Sequence, residues 1–268
     1  MTHTFSIANQ KGGVGKTTTT FHLAGAAAKR GLRTLVIDGD PQGNLTSSLD
    51  TGELTASSIG LADALSRNAD ETLADVIVPT QWEGVDLVPT TGGTLSAVEH
   101  ELNTMSLGRT HRLSEELESV KGRYDLVLID CPPNLGPLTI NAFVASEQIV
   151  VVAKPELWSG TGLLSLFTTM QEVRRYCARP DLRFAGVIFN MYDNRETEQA
   201  KRYREITEAA EKMEIPILHP TVPRRVTVFE TAIHGTRLDL SSDPRAAALA
   251  PIYDRHLEAL LASTTDPS

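Results

Sequence analysis

The sequence predicts an α/β fold: one doubly wound, mostly parallel sheet with helices on both faces. Three observations predict it. Short, continuous apolar runs alternate along the chain with helical patterns; a glycine-rich turn joins the first run to the first helix; and two runs end on aspartate. Strands apolar throughout, rather than alternating, belong to a sheet covered on both sides.

The first strand is FSIA (5–8), followed after the glycine turn by KTTTTFHLAGAAAKRG (16–31). That segment is rich in helix-forming alanine, sets Leu23 on its apolar side and closes on Lys29, Arg30 and Gly31. Cations and a glycine suit a helix C-terminus. RTLVID (33–38) is the next strand. Strand, glycine loop, helix and strand make a βαβ unit, which forces parallel pairing. Further strands are expected at VDLVP (85–89), YDLVLID (124–130), QIVVVA (148–153) and FAGVIFN (184–190). Helical patterns at RTHRLSEELESVKG (109–122), GLLSLFTTMQEVRRYC (162–177) and ETEQAKRYREITEAAEKM (196–213) separate most of them. No linker or repeat interrupts the pattern, so a single domain over 1–268 is expected, with STTDPS (263–268) as a frayed tail.

Composition narrows the function classes. The chain has 268 residues, 41% of them hydrophobic and 22% charged, as an ordinary soluble domain has. No apolar run approaches the roughly 18–20 residues that span a bilayer, and MTHTFSIANQ is no targeting segment. Cys131 and Cys177 are too few and too far apart for a disulfide framework or a metal cluster, so a reducing cytoplasm is expected. The net charge of −9 excludes a globally attractive field for nucleic acid. Residues 1–170 hold 11 basic and 19 acidic side chains, whereas 171–268 hold 14 and 15, so a local basic patch is expected in the C-terminal part.

The chemistry starts at IANQKGGVGKTTTT (7–20). Its Gly15-Lys16-Thr17 is the end of a phosphate-binding loop: backbone N–H groups of Gly12, Gly13, Val14, Gly15 and Thr18 face phosphate, Lys16 neutralises it, and the Thr17 hydroxyl ligates Mg²⁺. The helix starting near Lys16 adds its positive end. The usual glycine five positions before Gly15 is replaced by Gln10, and a second lysine, Lys11, stands in the loop. LVIDGDPQGN puts Asp38 at a strand tip with Asp40 two residues on, and LVLID puts Asp130 at another. Ligands sit at such carboxyl ends in parallel sheets. Asp130 is expected to serve the metal through water; Asp38 either does the same or caps a turn.

Together these stretches resemble the deviant Walker A ATPases of the MinD/ParA superfamily, and within it the ParA/Soj partition branch. The match lies in KGGVGKTTT (11–19), VIDGDPQGN (36–44) and LVLIDCPPNLG (126–136), with weaker similarity in PELWSGTGLLSL (155–166), MYDNRET (191–197) and TVPRRVTVFETAIHG (221–235). The resemblance implies an ATP hydrolase that uses ATP and Mg²⁺ and dimerises on ATP. It implies that Lys11 reaches the partner's phosphates, Lys16 binds its own, Asp40 orients the attacking water, and Asn190, Pro223 and Arg224 meet adenine. It further implies nucleoid association through non-specific double-stranded DNA, a ParB-type centromere-binding partner, and a role in plasmid or chromosome segregation. The DNA candidates are Arg195, Lys201, Arg202, Arg204, Arg224 and Arg225; Thr227 stands where the family carries an arginine. Relatives that position carboxysomes, chemotaxis clusters or flagella offer another function class. The MinD branch offers a membrane-associated one, which the acidic C-terminal segment, with Asp254, Glu258 and Asp266, opposes.

Overall fold

The structure, a computed structural model, describes residues 2–105, 107–120, 122–155 and 161–264, with the Thr161 side chain left out. The chain opens with β1 (His3–Ala8), α1 (Lys16–Lys29) and β2 (Thr34–Asp38), the βαβ unit read from the sequence. Three short helices follow: α2 (Asn44–Leu49), α3 (Leu61–Leu65) and α4 (Leu73–Val76). A hairpin of β3 (Val78–Pro79) and β4 (Val85–Val88) leads into α5 (Thr94–Thr104) and α6 (Arg112–Glu118). Then come β5 (Leu126–Asp130), α7 (Pro137–Ala145), β6 (Gln148–Ala153), α8 (Thr161–Tyr176), β7 (Arg183–Phe189), α9 (Thr197–Lys212) and β8 (Ile217–Leu218). The end of the chain is helical, with α10 (Val226–Ile233), α11 (Pro244–Ala247) and α12 (Ala250–Ser263).

The strands form one sheet in the order β3-β4-β2-β5-β1-β6-β7-β8, parallel except for the β3–β4 pair. The six longer strands stand where apolar runs predicted them; β3 and β8, two residues each, are too short to show a pattern. Successive residues of each central strand serve opposite cores. Leu35, Ile37, Val127 and Ile129 pack with α7 and α8 residues such as Phe143, Leu166 and Met170. Val36, Leu126 and Leu128 pack with Phe21 and Leu23 of α1 and Tyr253, Leu257 and Leu260 of α12. Each large apolar side chain so buried contributes about 1.5–3 kcal/mol, and two full layers explain why the strands read as unbroken apolar runs.

Within the tail expected over 263–268, Ser263 is the last residue of α12 and Thr264 its C-cap. Ser263 closes the helix, donating from Oγ to Gln148 Oε1 at 2.9 Å, and Thr264 Oγ1 lies 3.3 Å from His3 Nε2. Residues 265–268 lie outside the described residues, as do 156–160 of the weaker family stretch. Tyr253, His256, Leu257 and Leu260 turn inward, so the apolar side of α12 is already used in the core. No helix among the described residues is long and apolar enough to cross a membrane.

Candidate functional site

β1 lies between β5 and β6, where the strand order turns from one side of the sheet to the other. Crevices at such switch points hold ligands, and the glycine loop is the connection that leaves β1 there. Asn9 fixes the start of the loop: its Nδ2 donates to Val152 O at 2.7 Å, and its Oδ1 accepts from Lys11 N at 2.8 Å. Val14 is buried, and Gly15 takes a left-handed conformation at φ 91°. A Cβ on Gly15 would also collide with Asn190 Nδ2, so glycine is required twice over at this position. Lys16, 6% exposed, then begins α1 with no side-chain cap. The first-turn N–H groups are therefore left for a ligand, at the positive end of the helix.

The carboxylates come from β2 and β5, whose register sets Asp38 beside Asp130. Both are fully buried. Asp130 Oδ2 accepts from Thr17 Oγ1 at 2.6 Å, which ties the β5 tip to the loop helix. Asp38 Oδ2 accepts from both the backbone N and Oγ1 of Thr46 at 2.7 Å. Burial pushes the Asp130 carboxyl up to about 8, with the facing charge of Asp38 adding to it. Burial likewise raises Asp38 to about 6, against the bonds from Thr46. Two desolvated acids with Lys16 close by call for more positive charge than one lysine brings, which fits a divalent cation beside Thr17. No group of three or more His, Cys, Asp or Glu side chains among the described residues is arranged to hold a metal. A cation would thus rely on Thr17, the nearby acids and oxygens of its ligand. Asp38 also caps the turn into α2, one of the two uses expected of it.

Gly39 keeps these tips close: its N–H donates to Asp130 O at 2.9 Å, and a Cβ would come within 2.7 Å of that oxygen. Asp40 beyond it is 8% exposed and accepts from Gln42 N at 3.0 Å. It opens onto a cavity of about 670 Å³ lined also by Gly12, Gly13, Gly15, Lys16, Thr17 and Thr18. The expected phosphate loop and Asp40 therefore share one chamber, while Asp38 and Asp130 lie behind its wall. Lys11 is exposed and does not line this chamber.

The opposite walls were not legible beforehand. Gln42, Asn44, Ser47 and Ser48 come from the turn and helix after Asp40; Phe229, Ala232 and Ile233 come from α10; Pro133 and Met191 complete the lining. The α2 residues follow directly on DGDPQGN, and that adjacency is the signal that could have found them. Phe229 and Ile233 remain 56% and 53% exposed while facing the cavity.

Asn190, expected at adenine, has both ends of its amide on backbone. Nδ2 donates to Val14 O at 2.9 Å and Oδ1 accepts from Met191 N at 2.9 Å. Pro223 and Arg224 line a neighbouring cavity of about 270 Å³ with Tyr192, Asp193, Arg195 and Arg225. Three DNA candidates thus come together: Arg195, Arg224 and Arg225. Arg195 is bonded to Asp193, whose carboxyl that bond holds far below the usual range. The other three candidates lie on α9. Arg202 is paired with Glu198 at 3.0 Å and Glu205 at 2.8 Å, whereas Lys201 and Arg204 are exposed.

Comparison with known proteins bears on this arrangement. A family model described as an AAA domain matches residues 2–184. The sporulation initiation inhibitor protein Soj of Bacillus subtilis is 37% identical over 254 residues, covering 92% of this chain and 94% of Soj. The chain belongs to the ParA/Soj family of P-loop ATPases. Another member, the chromosome partitioning protein ParA of Caulobacter vibrioides, is 38% identical over 233 residues, covering 86% of this chain and 84% of that protein. Among solved structures, cobyrinic acid a,c-diamide synthase from Mycobacterium smegmatis, with bound ATP analogue and magnesium, superposes with a TM-score of 0.82. It is 30% identical, covering all of this chain and 97% of that one. This ParA/Soj chain therefore has the fold that its sequence predicted.

Proposed function

We propose that this chain is an ATP- and Mg²⁺-dependent dimerising ATPase of DNA segregation, whose ATP-bound dimer holds duplex DNA without sequence preference. The observation that carries the reading is the joining of Lys16, Thr17, Thr18 and Asp40 in one chamber with Lys11 outside it. Soj and ParA relatives named for sporulation control and chromosome partitioning support it.

In this reading the loop amides and Lys16 bind the β- and γ-phosphates. Thr17, with Asp130 and Asp38 behind it, would hold Mg²⁺, which would supply charge neutralisation. Asp40 orients a water so that its oxygen bonds to the γ-phosphorus as the bond to the β–γ bridging oxygen breaks, giving ADP and phosphate. Two ATP molecules facing across a two-fold interface repel, and Lys11 from each protomer offsets this on the partner's phosphates. The dimer forms because ATP favours it, and hydrolysis releases it. The Arg195–Arg225 cluster, doubled in the dimer, contacts DNA phosphates on the nucleoid. A ParB-type centromere-binding protein accelerates turnover. Single-domain organisation over 1–268 and cytoplasmic location belong to the same proposal.

The test is binding to random-sequence duplex DNA without nucleotide, with ADP and with ATP, at two salt concentrations. Binding confined to ATP and weakened by salt is expected. ATP-dependent dimers that ignore DNA would move the function to positioning another cargo.

A further inference from the structure

We propose that His22 is a positioning residue for nucleotide binding, holding α10 against the loop helix so that the two walls of the phosphate chamber keep a fixed separation. His22 lies on α1, whose first turn carries Lys16, Thr17 and Thr18. Its ring is 3% exposed, with Phe21 edge-on at 5.2 Å and Tyr253 at 4.8 Å between centroids. Its Nε2 lies 2.8 Å from Val228 O in the first turn of α10. A carbonyl oxygen only accepts, so that contact assigns the ring proton to Nε2. Burial pushes the imidazole down to about 4, so the ring is neutral near pH 7.

The residue after Val228 is Phe229, the first of the α10 side chains that line the chamber, with Ala232 and Ile233 following. At the other end of that stretch Gln81 Nε2 donates to Gly235 O at 2.7 Å. His22 thus holds the first turn of α10 and Gln81 the glycine two residues past its end, and neither side chain lines the chamber. The loop wall is set by α1 and the far wall by α10, and His22 is the hydrogen bond that joins them. Packing alone would be served by any apolar side chain among Phe21 and Tyr253. A ring nitrogen aimed at Val228 O adds a distance constraint, and ligand geometry is sensitive to wall shifts on the order of 1 Å. The loop that precedes α10 carries Pro223 to Arg225.

This inference rests on the chamber being the ATP site, and the experiment separates the two claims. ATP affinity, KM, kcat and melting temperature are measured on the full chain for wild type, His22→Leu, His22→Gln and Gln81→Ala. His22→Leu is expected to weaken ATP binding about tenfold, the factor that ~1.4 kcal/mol carries, on the scale of one buried hydrogen bond. The rise in KM should exceed the fall in kcat. His22→Gln, which keeps an N–H donor, should restore most of the affinity, and Gln81→Ala should weaken binding in the same direction. ATP bound equally well by wild type and His22→Leu overturns the proposal alone, as does a His22→Gln chain as weak as His22→Leu. If His22→Leu does not fold, Gln81→Ala decides: unchanged ATP affinity overturns the proposal. Wild type that binds no ATP overturns the chamber assignment, and this inference with it.

Discussion

Around Lys16 and Asp130 the polar groups are buried and held by partners only a few residues away in space: Thr17 on Asp130, Thr46 on Asp38, Asn9 on the loop. Around Arg225 the charges stand in solvent, and the acids nearest them already take part of their hydrogen bonding, as Asp193 does for Arg195. The first region is fixed before any ligand arrives; the second is fixed only by the loops that carry it. A buried charge must have one geometry, because leaving it unpaired costs several kcal/mol. An exposed arginine pair is worth about 0–1 kcal/mol and tolerates rearrangement. Preorganised binding of a small triphosphate and tolerant binding of a long polyanion call for these opposite constructions.

The contrast breaks first at Lys16. Lys16→Ala should lower ATP affinity on the order of 3 kcal/mol, more than a hundredfold, as read by titration with a fluorescent ATP analogue. Affinity within a few-fold of wild type would mean that the buried region is not the phosphate site.

Acid should separate the regions next, since exposed arginines do not titrate. An unfolded histidine takes a proton near pH 6.5, whereas folded His22 and His256 resist it until about 4. Between those values the unfolded state binds more protons at these rings, so their contribution to stability falls as pH falls, while Asp38 and Asp130, raised in the folded state to about 6 and about 8, contribute in the opposite direction. Each ring should cost about 2 kcal/mol at pH 5 relative to pH 7. Denaturant melts at both pH values test this through the difference between chains: going from pH 7 to pH 5, His22→Gln should lose about 2 kcal/mol less than wild type, the share of one ring.

Lys11 lies between the two constructions, exposed yet in the loop. Lys11→Ala should keep ATP binding while ATP-induced dimers weaken about tenfold, a loss of ~1.4 kcal/mol, as sedimentation would show. Dimers unchanged in strength would refute the cross-interface role.

The smallest effects belong to the basic surface. Arg225→Ala should weaken ATP-dependent DNA binding and reduce the slope of log affinity against log salt by about 0.9 for each phosphate contact removed in a protomer. Arg202→Ala should do less, because Glu198 and Glu205 already pair with that side chain. Equal losses would show that the helix pairing gives way to DNA.

How much of this was legible in the sequence follows the same division. β1, β2, β4, β5, β6 and β7 were readable because burial on both faces leaves an unbroken apolar signature, and the loop because its spacing is local. The proximity of Asp38 and Asp130 was readable only as two strand tips; that β2 and β5 are neighbours is a matter of topology. Phe229 and Ile233 stayed invisible because they come from a distant helix and are half exposed, so no burial pattern marks them. For Asn190, which the resemblance sets at adenine, nothing in the sequence marks which backbone groups its amide meets. Its engagement with Val14 O depends on the loop being folded beneath it.

The meeting of Thr264 with His3 has a practical consequence. β1 begins at His3, whereas the phosphate loop leaves its other end after Ala8. A fluorescent reporter joined through residue 2 or residue 264 would hang from the base of the sheet, a strand's length from the nucleotide chamber. Labelled copies can therefore be imaged, or tethered to a surface from either side, with the chamber mouth and the arginine face turned away from the attachment.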